Sequence, residues 1–368
     1  MENRAWFEID EVDKIDSPAL CIYKERVRKN IRSLLETVPA PGVRPHVKTN
    51  KMAEVCQLMM DEGISKFKCA TIAEAEMLGL IKAKDVLLAY PLTGPKINRF
   101  LRLIKKFPGT RFSGLVDSPE GANAVSGYFL SEQLVADVYI DLNVGMNRTG
   151  ILPGRALALY DSIRRMKGIR LTGLHAYDGH IHDTDLQTRK VRCLEAFKEV
   201  PELKKAIESL ADYSITLVAG GSPTYLIHAQ QGDRECSPGT FVFWDKGYTD
   251  HLPDQPFEYA ALLLCRVISI PAANMICVDL GYKSVASENP QPRVFFLNAP
   301  DAIPTSQSEE HLTLTVKDAA SFKIGQVLYG VPWHVCPSVA LYDNAFVIEN
   351  NHVADEWKVI ARQRKISI

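Results

Sequence analysis

Five short stretches carry side chains whose types and spacing can do chemistry. In "RPHVKTNK" (44–51) Lys48 closes an apolar run, with His46 two residues earlier. On a strand that spacing puts both side chains on one face. An amine held there, its basicity lowered by its surroundings, forms a Schiff base with a carbonyl cofactor. A solvated basic turn is the plain alternative. In "LVAGGSPTY" (217–225) an apolar strand runs into Gly220, Gly221 and Ser222, with Thr224 close behind, and then into a helical stretch. Glycines let backbone N–H groups approach an anion, and a helix N-terminus adds a favourable dipole. The alternative is a turn that only needs positive φ. An imine-forming lysine and a phosphate cradle on one scaffold point together to pyridoxal 5'-phosphate.

Two further stretches end apolar strands in polar loops. "IDLNVGMNRTGI" (140–151) carries Arg148, whose planar fork suits a cofactor substituent or a substrate carboxylate, or simply solvent. "GLHAYDGHIHD" (173–183) places His175 and Tyr177 on one side of a strand, facing the cofactor ring, and His180 and His182 in the loop, within reach to act as bases. Far downstream, "VPWHVCPSVALYD" (331–343) sets His334 and Cys336 two apart, on one side of an extended segment. Imidazole with thiolate suits a divalent metal, Zn2+ first and Mn2+ or Mg2+ as alternatives, with positions left open for water or substrate.

The elements that must position these groups follow two rhythms. From residue 15 to about 248, short β-rich runs ("ALCIYK", "VRPHVK", "KFKCAT", "DVLLAYP", "RFSGLVD", "VADVYIDLNVG", "IRLTGLHAY", "SITLVAGGSP") mostly alternate with stretches of helical apolar spacing. Strand-then-helix repetition implies parallel strands, and about eight such units predict an α/β fold, a (β/α)8 TIM-like barrel with its chemistry at the strand C-termini. An open doubly wound sheet is the runner-up. From 249 to 368 the runs are short, extended and broken by Pro, Gly, Asn and Asp, which predicts an all-β domain carrying the His334–Cys336 pair. Residues 1–14 are expected to add a strand to one or the other.

Composition excludes several classes. The chain has 368 residues and a formal net charge of −1, with no basic block, so no nucleic-acid footprint is expected. No apolar run reaches the roughly 20 residues needed to cross a bilayer, and the acidic opening lacks a signal core, so a cytoplasmic protein is expected. None of the eight cysteines forms a Cys-x-x-Cys pair, which argues against a zinc ribbon or a disulfide framework.

The stretches "RPHVKTNK", "ATIAEAEML", "DLNVGMNRTG", "LHAYDGH", "VAGGSPTY", "SPGTFVFWD", "VPWHVCPSVALYD" and "WKVIARQR", in this order, resemble the D-threonine aldolase and D-serine dehydratase group, which shares its barrel with alanine racemase. The resemblance implies a fold-type III pyridoxal-phosphate enzyme, usually a homodimer, acting on small D-amino acids. It implies Lys48 as the cofactor-bearing lysine, Gly220, Gly221 and Ser222 as the phosphate loop, Tyr177 and Arg148 beside the cofactor, and His334 and Cys336 as metal ligands. Aldolases of the group tend to carry His-x-Asp at the metal pair and dehydratases His-x-Cys, so Cys336 leans toward β-elimination. Asp183 stands where some aldolases carry a second histidine, with His182 one place earlier. Retro-aldol cleavage of D-threonine is the alternative; a racemase and a non-catalytic cofactor-binding protein are the more distant ones.

Overall fold

The computed structural model describes residues 5–368, and its contacts divide the chain into two compact units. One contains residues 34–48, 56–239 and 363–368; the other contains the chain up to Ser33, residues 49–55 and residues 240–362.

The first unit is built on seven parallel strands, Lys66–Cys69, Asp85–Pro91, Arg111–Val116, Ala136–Leu142, Ile169–Ala176, Thr216–Ala219 and Glu235–Cys236, neighbours in chain order. Crossover helices separate them because parallel neighbours cannot be joined by a tight hairpin. The helices start where the sequence says they should. Pro95, Pro119 and Pro153 open three of them, and the hydroxyls of Thr71 and Ser118 accept from the N–H groups of Glu74 and Gly121. An eighth, irregular segment closes the ring. Val43 bridges Cys236 and His46 bridges Lys68, both in parallel, with Arg44 N–H donating to Cys236 O at 2.9 Å and Val47 N–H to Lys68 O at 2.9 Å. Pro45 has no N–H to give, so this segment never becomes a full ladder. The α/β barrel followed by an all-β domain is the observed architecture.

Membership of the ring differs from expectation at both ends. Ala19–Tyr23, counted as the first barrel strand, pairs antiparallel with Ala261–Ala272 and parallel with Asn344–Glu349 in the other unit. All five of its residues are buried, and a fully apolar run gives no sign of which sheet will cover it. The ring takes Glu235–Cys236 instead, two residues in the polar stretch "GDRECSPG" that no periodicity marks. The contact division falls after Gly239, whereas residue 248 lies within the helix Lys246–His251. Of the opening segment, residues 1–4 lie outside the described residues, and 5–14 form no strand, only a 3-10 turn at Val12–Lys14.

In the second unit the strands run in the order Ile303–Gln307, Leu312–Thr315, Met275–Val278, Ala261–Ala272, Ala19–Tyr23, Asn344–Glu349, His352–Lys358. Val327–Pro332 branches off Ala261–Ala272 and carries Val294–Phe296. Among the described residues no helix is long and apolar enough to cross a membrane.

Arg44, 1% exposed, anchors the barrel's closing segment. Its Nε lies 2.6 Å from Glu235 and its Nη1 2.6 Å from Asp85, while Lys66 also pairs with Glu235. Removing one member of such a network strands the other charges. Arg44→Ala is therefore expected to cost about 3–5 kcal/mol, read as a lowered denaturant midpoint. A loss below about 1 kcal/mol would show that the closure does not depend on this network.

Candidate active site

At the strand C-termini of the barrel the chain turns at residues 47–50, directly after the His46 bridge. The turn brings the Lys48 N–H to His46 Nδ1 at 3.2 Å, so His46 fixes the backbone that carries the lysine. The Lys48 ammonium stands 5.8 Å from the centre of the Tyr177 ring. Arg148 lies 5.3 Å and Lys68 5.4 Å from the same ring. Three basic side chains thus lie within 6 Å of one aromatic ring, an arrangement that attracts anions.

Tyr177 is wedged by two glycines. A Cβ on Gly221 would come within 2.9 Å of the Tyr177 ring, and one on Gly179 within 2.4 Å. Gly220 adopts φ +74°, open to glycine without strain. The loop they form is tied down from below. Thr224 Oγ1 donates to Asp178 at 2.9 Å and lies 3.4 Å from the Gly221 N–H, and Ser222 Oγ accepts from Gly239 N–H at 3.3 Å. The helix that follows, Tyr225–Ala229, is only five residues long. Beneath the loop, Asp178 also accepts from His228 at 2.9 Å, and Cys193 lies 3.4 Å from His228. The ligand atoms of Asp178, Cys193 and His228 lie within 4.8 Å of one another, a spacing and composition that could hold a metal ion. In the structure they satisfy each other as a buried hydrogen-bonded knot.

His175 is buried, and its Nδ1 lies 2.7 Å from Asp141, which also accepts from Thr149 at 2.8 Å. Burial lowers the imidazole pKa against the opposing pull of Asp141. The neutral ring donates through Nδ1 and leaves Nε2 as a buried acceptor without a partner. That atom belongs to a cleft also lined by Asp141, Arg148 and Tyr177. His175, Tyr177 and Arg148 line this cleft together, although the strand ends at Ala176 and Tyr177 stands just beyond it.

The loop histidines differ from one another. His180 packs on Gly145, where a Cβ would meet its Nε2 at 2.8 Å, and its Nδ1 is buried without a partner. His182 is exposed, with Nδ1 3.1 Å from the His180 carbonyl. Asp183 is held by Arg192, whose Nη1 lies 2.7 and 2.8 Å from its two oxygens.

In the β unit, His334 and Cys336 do not share an extended segment as expected. His334 is the N-cap of the short helix Val335–Val339 and Cys336 is the second residue of that helix. The two side chains lie near enough at the helix start for Cys336 to favour the charged imidazole. His334 Nδ1 is 2.5 Å from Glu288, and Cys336 Sγ lies 3.1 Å from Thr49 Oγ1 and 3.5 Å from Thr240 Oγ1. Burial works against the charged imidazole, but Cys336, Asp245 and Glu288 outweigh it and raise the His334 pKa to about 9. Asp245 caps the helix Lys246–His251 through Tyr248 N–H and also accepts from Val335 N–H at 3.0 Å. A histidine whose second nitrogen is held by a carboxylate is the usual support of a metal ligand.

Sequence reasoning passed over Glu288, Asp141, Asp178 and Lys68. The first three are acids remote in sequence from the groups they orient. Lys68 left one signal: a lysine set between the apolar Phe67 and Cys69 inside a short strand.

The chain matches the family model described as alanine racemase, N-terminal domain, over residues 22–246, and the model described as putative serine dehydratase domain over residues 260–348. It is 26% identical to a D-threonine aldolase of Arthrobacter sp. over 96% of this chain and 94% of the relative. It is 25% identical to a D-threo-3-hydroxyaspartate dehydratase of Delftia sp. (strain HT23) over 90% and 94%. The crystal structure of a D-threonine aldolase from Filomicrobium marinum superposes with a TM-score of 0.87 at 24% identity, covering 98% of this chain and 99% of that one.

Lys68 gives the site a testable electrostatic cost. Burial, with Lys48 nearby, lowers its pKa from 10.5 to about 7. A base depressed in the folded state contributes stability that is full above pH 10.5 and lost as pH falls through about 7. In cofactor-free protein, Lys68→Met should therefore be more stable than wild type near pH 6 by on the order of 3 kcal/mol, the gap closing toward pH 10. Thermal melts across that range measure it; parallel curves would show that the ammonium carries no burial cost.

Proposed function

We propose, for a chain that belongs to the alanine racemase N-terminal domain family, the metal-assisted β-elimination of water from a β-hydroxy-D-amino acid with pyridoxal 5'-phosphate as cofactor. The chain is a lyase of the pyridoxal-phosphate-dependent type found among its relatives. The residues fit the cofactor. Lys48 offers the amine, the Gly220–Gly221–Ser222 loop with Thr224 offers donors for a phosphate, and the orphaned Nε2 of His175 and the Arg148 guanidinium remain for the ring and its substituents. When bound, this cofactor supplies an electron sink for charge developing at Cα.

The chain's own residues do the rest. The Lys48 amine would serve as the base that takes the Cα proton. Tyr177 presents a fixed flat face, because Gly179 and Gly221 leave its ring no other place. His334 and Cys336 would hold a divalent metal, Zn2+ first, and such an ion would supply Lewis-acid polarisation of a hydroxyl oxygen. Loss of the Cα proton and the β-hydroxyl amounts to loss of water; the enamine that remains hydrolyses to a 2-oxo acid and ammonia.

The observation that carries elimination over its rival is the pairing of Cys336 with a Glu288-backed His334, joined to the capture of Asp183 by Arg192. Retro-aldol cleavage needs a base at the β-hydroxyl, and Asp183 is already committed. His180, with a buried nitrogen unpartnered, keeps the aldol reading as the second one.

Purified protein incubated with D-serine, D-threonine and D-3-hydroxyaspartate, with and without Zn2+ or Mn2+, should release ammonia and 2-oxo acid, and a chelator should abolish it. Glycine and aldehyde as the products would establish the aldol alternative; L-enantiomer without either would make the chain a racemase. Lys48→Ala is expected to lose the cofactor's imine absorbance in the visible, and an unchanged spectrum would place the covalent bond on another lysine.

A further inference from the structure

One buried basic group in the barrel has no role in the mechanism above, the Lys68 amine. The residue is 2% exposed, and its backbone is locked on both sides, N–H to Pro45 O at 2.8 Å and C=O from Val47 N–H at 2.9 Å. Its side chain points where the His46 bridge and Tyr177 meet, with Nζ 5.4 Å from the Tyr177 ring. Among the described residues no carboxylate forms an ion pair with it. The two nearby acids are already engaged: Asp141 accepts from His175 and Thr149, and Asp178 from Thr224 and His228. Lys48 and Arg148, the other charges that face it, are cations and repel it. A buried amine in such surroundings is driven toward its neutral form, and an anionic oxygen brought within reach restores the ammonium by pairing with it.

We propose that Lys68 is a second anion-binding amine of the cofactor pocket, a positioning residue whose ammonium pairs with an anionic oxygen brought by the ligand. This rests on the cofactor reading above. The phosphate has its own cradle at Gly220–Ser222, so the oxygen belongs either to the cofactor ring or to the substrate carboxylate; the chemistry is the same. Lys48 spends its amine on the carbonyl and Arg148 approaches from an exposed loop, which leaves Lys68 as the buried cation on this side of Tyr177.

The test compares wild type, Lys68→Met and Lys68→Arg, each checked for folding by circular dichroism and titrated with pyridoxal 5'-phosphate and then with D-serine. Wild type must show the imine band; its absence there would count against the cofactor reading itself. If the ring oxygen is the partner, Lys68→Met binds the cofactor about ten- to a hundredfold more weakly and the pH midpoint of its visible band shifts. If the carboxylate is the partner, the band and cofactor affinity hold, and the D-serine concentration needed for the spectral change rises by that factor. Arginine, which keeps the charge but cannot serve as a base at neutral pH, restores either loss. Three results overturn the proposal. The folded Lys68→Met protein binds both ligands as wild type does. Or it loses the imine band altogether, making Lys68 the covalent amine. Or it keeps both affinities but loses Cα-proton exchange in deuterium oxide without rescue by arginine, making Lys68 a base.

Discussion

Closure of the barrel by a segment that contains proline and barely pairs is the constraint on which the site depends. Residues 43–47 bridge Cys236 on one side and Lys68 on the other. One short run and the turn that follows it deliver three basic side chains to different jobs. Arg44 goes to a buried network with Asp85 and Glu235, His46 to the backbone of the following turn, and Lys48 to the rim beside Tyr177. The closing bridges therefore hold the register that keeps the amine at the rim.

Around that rim the acids are spent on orientation. Asp141 fixes the tautomer of His175, and Asp178 gathers Thr224 and His228 beneath the glycine loop. The basic side chains of Lys48, Lys68 and Arg148 are left beside one ring. Such a pocket is costly for the protein alone and well matched to a ligand rich in negative oxygen. In the β unit the logic is repeated on a smaller scale, with Glu288 holding one nitrogen of His334 and Asp245 fastening the start of the helix that carries Cys336.

Much of this was legible in the sequence, and the gaps have physical causes. The alternation of β-rich runs and helical spacing predicts the barrel; His175 lies in its strand, while Tyr177 stands just beyond the strand's end. The strand Ala19–Tyr23 was assigned to the wrong sheet because five consecutive apolar residues need cover but do not say whose. Glu235–Cys236 was invisible because two residues have no period. The i, i+2 spacing of His334 and Cys336 reads as extended, whereas the segment forms a short helix whose first N–H is held by Asp245, ninety residues away in sequence. Partners such as Glu288 and Asp178 are fixed by folding alone.

The assignment of Ala19–Tyr23 to a sheet whose other members begin at Ala261 has a bearing on how the polypeptide matures. The strand leaves the ribosome early and must wait for more than half of the message to be translated before its neighbours exist. Nor does either unit correspond to one uninterrupted stretch, since the backbone changes membership at residues 33, 48, 55, 239 and 362. Non-local pairings of this kind slow assembly and leave apolar surface uncovered in the meantime. No single cut in the chain separates the two units.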